Sequence, residues 1–128
     1  GRCKRDFTYV DDVVEGVVRI MQHAPEKQNG EDGLPIPPYK VYNIGNSSPE
    51  NLLDFVTILQ EELIAADVLS KDFDFEAHKE FVPMQLGDVP VTYADTILLE
   101  QDFDFKPSTS LRKGLRAFAE WYKRYYKV

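Results

Sequence analysis

Residues 5–12 read Arg-Asp-Phe-Thr-Tyr-Val-Asp-Asp, and no other stretch constrains the fold as strongly. Phe7 and Tyr9 alternate with Asp6, Thr8 and Val10, the period-2 pattern of a short β-strand. At Asp11 and Asp12 the alternation stops. Val13, Val14, Val17, Val18 and Met21 then recur at helical spacing. A strand passing directly into a helix is the building step of an α/β architecture. Either Asp11 or Asp12 is placed to accept a hydrogen bond from the free N–H groups of the first helical turn. Arg5 enters the strand with a planar, permanently charged fork suited to phosphate or carboxylate.

The first helix is expected over residues 11–22, with its valines on one face and Gly16 interrupting the run. A mid-helix glycine costs about 1 kcal/mol against alanine. Gly16 therefore marks either a close approach of another element or an indifferent exposed position. Residues 23–38 hold Asn29-Gly30, Asp32-Gly33, Pro35, Pro37 and Pro38, which argue for an irregular loop, mobile or acting as a flap. Val41, Tyr42 and Ile44 predict a second strand over residues 40–45, ended by Gly45. A helix start follows: Ser48 caps with Pro49 at the first helical position, or Ser47 caps with Glu50 closing a capping box. Leu52, Phe55, Val56, Leu59 and Leu63 form its apolar stripe, which runs to Ala65 or Ala66. Residues 80–84 read as an edge strand bearing Pro83, 85–90 as a turn and 91–94 as a short extended segment. Asp95 caps a helix reaching about residue 101. Ser110 opens the last helix, with Leu111, Leu115, Phe118 and Tyr122 on one face and basic residues near its end. The expectation is an α/β fold with three or four short strands and about four helices.

Composition excludes several function classes. The net charge of −7 argues against nucleic acid or an anionic membrane as the main partner. Cys3 is the single cysteine, and His23 and His78 lie far apart, so no metal site is expected. No apolar run approaches the ~20 residues that span a bilayer, and a cytoplasmic location is the default expectation. No Tyr precedes a Lys by four positions, and neither glycine-rich phosphate motif occurs, so no catalytic and no cofactor-binding residue is expected. Asp11-Asp12 and the Asp72, Asp74 pair are read as caps or solvated surface.

A binding site is the remaining possibility. Arg5 starts a strand, and Gly87-Asp88 sits in a tight turn preceded by Gln85. An arginine for phosphate, an amide, and a carboxylate for a ribose diol are the parts of a nucleotide-sugar site. One ionised carboxylate satisfies both hydroxyls of a diol.

Three ordered stretches carry a resemblance: residues 5–16, Val41-Tyr42-Asn43-Ile44-Gly45-Asn46, and Met84-Gln85-Leu86-Gly87-Asp88-Val89-Pro90 with Thr92-Tyr93-Ala94-Asp95. They resemble the C-terminal part of the NAD-dependent nucleotide-sugar epimerases and dehydratases, within the extended short-chain dehydrogenase/reductase superfamily. The UDP-glucuronate 4-epimerase group is the most similar. The resemblance implies that residues 1–128 form one substrate-binding region of a Rossmann-type enzyme whose N-terminal NAD-binding part is not in this sequence. On this reading Gly1 is an added residue. Arg5 would bind the sugar-nucleotide diphosphate, Phe7 would lie near the nucleotide, and Asp88 would take the ribose. Gln85 stands where relatives usually carry a phosphate-binding Arg, so Arg5 would bear more of the charge. Leu86 replaces the usual Pro, which loosens the turn. In such enzymes the sugar is transiently oxidised at C4, with hydride passing to and from NAD and a tyrosinate taking the hydroxyl proton. This chain would hold the UDP-sugar, bind no cofactor, be inactive alone, and self-associate, by exchange of residues 5–22, through surface that otherwise faces the missing part. A free-standing binding or assembly module is the alternative.

Overall fold

A computed structural model gives the fold of residues 3–128. The reading of Gly1 falls outside these residues. The elements are β1 (Lys4–Arg5), α1 (Val10–Met21), β2 (Gln28–Asn29), β3 (Pro35–Ile36), β4 (Glu50–Asn51), α2 (Leu52–Ala65), a single 3₁₀ turn (Glu76–His78), α3 (Ile97–Phe103) and α4 (Leu111–Tyr126). The fold is α/β, with four helices and very short strands. β1 pairs antiparallel with β4, Lys4 opposite Asn51 and Arg5 opposite Glu50. Lys4 also makes a parallel bridge to Val91. β1 is thus the central line of a small three-sided junction.

Several expected elements take a different form. The expected first strand contracts to Lys4–Arg5, because only there does a neighbouring backbone complete the ladder. Residues 40–45 and 80–84 form no ladder at all, since strand propensity is realised only against a partner strand. The 23–38 loop is not wholly irregular. β2 and β3 make a two-rung hairpin in it, closed by Gly30 and Leu34, with Gly33 at φ +76°. The Gly and Asn/Asp residues that forbid long elements are those that make tight turns. Neither Asp11 nor Asp12 caps α1; the cap position is Tyr9, without a side-chain bond. Asp12 reaches across instead, its Oδ2 accepting from the N–H groups of Ser108 (3.2 Å) and Thr109 (2.9 Å). α2 begins at Leu52 rather than near Ser48, capped by Asn51, whose Oδ1 accepts from Leu53 N–H at 2.8 Å. The preceding Glu50–Asn51 is committed to β4. α2 ends at Ala65, and Ser110 caps α4 through Lys113 N–H, both as the sequence predicts. Asp95 Oδ1 accepts from Ile97 N–H at the start of α3.

α1 is apolar on both sides. Val13 and Ile20 are half-buried and Gly16 is buried, all one turn apart. A Cβ on Gly16 would lie 3.1 Å from the Phe105 ring and 3.2 Å from Ile44, so the glycine permits the close approach. The other valines point to solvent: Val10, Val14, Val17, Val18 and Met21 are all exposed, Met21 at 79%. α4 likewise exposes Phe118, Trp121, Tyr125 and Tyr126, of which Trp121 and Tyr125 stack and the others meet at tilted or edge-on angles.

α2 and α4 pack against each other around Leu115 and Ala119. Glu62 of α2 is only 4% exposed and meets two arginines of α4. Its Oε1 accepts from Arg112 at 2.8 Å and its Oε2 from Arg116 at 3.0 Å. Arg112 also reaches Glu61 at 2.6 Å. The Arg116 and Arg112 hydrogen bonds hold the Glu62 carboxyl below its ordinary range despite burial. The stability this contributes is complete above the ordinary carboxylate range and is lost as pH falls through the lowered folded value. Thermal melts should therefore show the wild-type chain losing more stability than Glu62→Gln between about pH 5 and about pH 3. At neutral pH the Gln variant should be less stable by about 1–3 kcal/mol.

Candidate functional site

The site is built around Asp6, directly after β1. Its Oδ2 accepts from the N–H groups of Ser47 and Ala94, each at 3.1 Å, and its Oδ1 from Ser48 N–H at 3.4 Å. Its own N–H donates to Thr92 Oγ1 at 3.0 Å. One carboxylate thus ties the 45–48 turn and the 92–94 segment to β1. Gly45 lies within this knot: a Cβ there would come 2.3 Å from Ala94 Cβ and 2.8 Å from Asp6 Oδ2. Ser47 adopts φ +54°, and its hydroxyl donates to Ala94 O at 2.9 Å.

The same stitching carries the 85–90 turn to β1. Lys4 N–H donates to Pro90 O (2.8 Å), and Thr92 N–H donates to Lys4 O (3.2 Å). Asp88 N–H closes the turn onto Gln85 O at 3.2 Å, with Gly87 at φ +90°, a conformation that favours glycine. The turn forms with Leu86, fully exposed, where a proline would have been expected. Asp88 is thereby delivered to Arg5. Arg5 Nη2 donates to Asp88 Oδ1 at 2.7 Å, across 83 positions of sequence. Arg5 Nη1 is held by its neighbour's carbonyl, Lys4 O, at 3.0 Å, and Val89 N–H donates to the same Asp88 Oδ1 at 2.9 Å. The pair is open to solvent, with side-chain exposures of 24% and 44%.

Gln85 and Asp88 line one cleft of about 600 Å³ with Cys3, Leu52, Val56 and Lys79. Phe7 lies elsewhere. Its ring stacks on Phe55 at 4.5 Å and lines a separate apolar groove of about 380 Å³ with Tyr9, Leu59 and Phe118. So the structure joins Arg5 to Asp88 and sets Gln85 in the cleft that Asp88 lines, with Arg5 outside that cleft's lining and Phe7 packed against α2. Sequence reasoning missed Asp6, and it did not place in the cleft Lys79, whose ammonium is paired with Glu76. The Asp6 role was foreshadowed only by a carboxylate between Arg5 and Phe7 at the start of an alternating stretch. Lys79 stands in a polar stretch that no motif marks.

A second cluster superficially offers acid–base chemistry. Tyr42 Oη donates to Asp102 Oδ2 at 2.6 Å, and Lys40 Nζ donates to the same oxygen. The Asp102 hydrogen bond pushes both Tyr42 and Lys40 above their ordinary values, while Lys40 and then Tyr42 hold Asp102 below its own. A tyrosine serving as a base needs the opposite shift. The cluster fastens residues 40–42 to α3.

With this geometry in place, the comparisons with known proteins define a class. Residues 1–45 match the family model described as the NAD dependent epimerase/dehydratase family. The match covers less than half of this chain, which is similar to a portion of those enzymes. Among particular relatives, Protein CapI of Staphylococcus aureus is 43% identical over 99% of this chain and 37% of its own length. UDP-glucuronate 4-epimerase 4 of Arabidopsis thaliana is 37% identical over 98% of this chain and 27% of its own. A solved variant of the UDP-glucuronic acid 4-epimerase from Bacillus cereus, in complex with UDP-4-deoxy-4-fluoro-glucuronic acid and NAD, superposes with a TM-score of 0.67 at 25% identity. That match covers 98% of this chain and 34% of the Bacillus chain. The chain thus spans about a third of the length of these relatives.

The Asp6 knot is open to test. Asp6→Ala leaves the N–H groups of Ser47 and Ala94 without their acceptor and should cost about 2–4 kcal/mol in denaturant unfolding. Gly45→Ala should cost about 1–3 kcal/mol by overpacking. A change below about 0.5 kcal/mol in both would show that the junction does not depend on this carboxylate.

Proposed function

We propose that this chain is the substrate-holding, C-terminal region of an NAD-dependent UDP-sugar 4-epimerase, cytoplasmic and acting between UDP-glucuronate and UDP-galacturonate. The observation that carries the reading is the meeting of Arg5 and Asp88 beside the cleft lined by Gln85. Arg5 holds the diphosphate, because its fork matches paired phosphate oxygens. Asp88 accepts both ribose hydroxyls. Gln85 donates its amide without adding charge, which leaves Arg5 as the main neutralising group, and Phe7 stiffens the strand that bears Arg5 through its stack on Phe55. The identity of the sugar rests on the relatives named above.

NAD is assigned to the remainder of the enzyme. What supports this is the state of the helix starts in the described residues. Asp11 and Asp12 occupy the first turn of α1, where their charge opposes a pyrophosphate. The N–H groups of Ser47 and Ser48 are already taken by Asp6. These residues do not fit the dinucleotide, and no step through it is derived. The exposed valine side of α1 and the aromatic side of α4 are surfaces for the remainder of the enzyme. In its absence they drive self-association.

The purified chain supplied with NAD and UDP-glucuronate should show no epimerisation; turnover would refute the assignment. Calorimetry should detect UDP binding that Arg5→Ala weakens at least tenfold, and an unchanged dissociation constant would remove Arg5 from the site. Sedimentation should show oligomers that shift toward monomer when Val14, Val18 and Met21 are replaced by polar residues. A wild-type monomer at all concentrations would contradict the self-association.

A further inference from the structure

We infer that residues 24–39 form a flap over a cleft, pivoting on the ring of Phe103 and latched by the Asp102 carboxylate of α3. The inference is independent of the nucleotide-sugar reading. No hydrogen bond, ion pair or ring contact joins residues 24–39 to the rest of the described chain. All of them are exposed except the half-buried Gly30. Their bonds close on themselves instead. β2 pairs with β3, Gly30 N–H donates to Leu34 O at 2.8 Å, and Leu34 N–H donates to Asp32 Oδ1 at 3.0 Å. Pro25, Pro35, Pro37 and Pro38 fix φ along the two arms. The segment is bonded within itself and unattached to the body along its length, so it moves as a unit and the motion falls at its ends.

Both ends meet one corner of the body. His23 before the flap and Tyr42 after it each lie edge-on to the Phe103 ring, with centroids 5.8 Å and 5.1 Å away. Tyr42 Oη and Lys40 Nζ donate to the same oxygen of Asp102. The corner is itself tied to α1, since Arg19 Nη1 donates to the carbonyls of Phe103 and Asp104, each at 3.2 Å. The flap thus has a firm base and one latch. Between flap and body lies a cleft of about 830 Å³, with Ile36, Pro37 and Tyr39 on the flap side and Ile20, Met21 and Phe103 facing them. The latch is suited to release. The side chains of Lys40 and Asp102 are 44% and 32% exposed, and ion pairs so open to water hold weakly. Breaking the bonds to Asp102 disturbs no buried core and leaves the Phe103 contacts in place, so the flap swings without detaching. Its swing removes one wall of the cleft.

The test is pulsed electron paramagnetic resonance on the full 128-residue chain in a Cys3→Ser background. Nitroxides are placed at Glu31→Cys in the flap and Lys113→Cys on α4, and labelled chain is diluted with unlabelled so that only distances within one chain are read. With Asp102 intact, one narrow distribution should dominate. Asp102→Ala should at least double its width and shift its mean. Tyr42→Phe removes one of the two bonds and should broaden it less. A label at Lys27→Cys in place of Glu31→Cys should broaden too; broadening at one of the two positions alone is local fraying and overturns the single flap. A control pair at Asp54→Cys and Lys113→Cys, on α2 and α4, should keep its distribution throughout. Equal widths with and without the Asp102 carboxylate overturn the latch. If the control pair also broadens in Asp102→Ala, the body has loosened and Tyr42→Phe decides: broadening of the flap pair alone upholds the flap, and none overturns it.

Discussion

The carboxylate of Asp6 is the interaction on which the architecture depends. β1 has two residues, too few to define a sheet by ladder bonds alone. Asp6 compensates by accepting from three backbone N–H groups in two distant segments. Charge-assisted acceptance of this kind is stronger than the neutral bonds of a short ladder. It holds the 45–48 turn and the 92–94 segment against the strand, and the Gly45 backbone must lie flat against Ala94 for the knot to close. Arg5 and Asp88 meet because the segments bearing them are fastened one residue away.

Elsewhere the chain is held by few contacts of high quality rather than by a large core. Only Leu99, Pro107, Leu115 and Ala119 are buried apolar side chains among the described residues. The α2–α4 pair is fixed at its polar end by Glu62 between Arg112 and Arg116. The buried member of this cluster is the acid, while both arginines reach solvent and Arg112 keeps a second partner in Glu61. Meanwhile the outward valines of α1 and the rings of α4 stay wet. A helix with apolar residues on both sides is built to be covered on both sides.

Much of this was legible in the sequence. Helix periodicity located all four helices, Ser110 predicted the cap of α4, and of the two readings left open for Gly16 the structure chose the close approach, made by Phe105 and Ile44. The Arg-Asp-Phe and Gly-Asp motifs named the side chains that meet. What failed were the strands. Residues 40–45 and 80–84 have strand composition, but a strand exists only with a partner backbone, and none of the described residues provides one. Caps failed where distant partners competed for the same hydrogen-bonding groups. Asp12 binds the 108–109 backbone, and Asp6 takes the N–H groups of Ser47 and Ser48 before a helix can form there.

The division has a physical basis. Local sequence alone determined the helices, the glycine turns and the identity of the charged side chains, since these follow from backbone sterics and from spacing along one segment. Tertiary structure decided which charges face which. Arg5 is paired with Asp88, and Phe7 lies against Phe55 and not in the cleft. Such pairings join residues dozens of positions apart, and they are settled by three-dimensional closure, which no local pattern encodes.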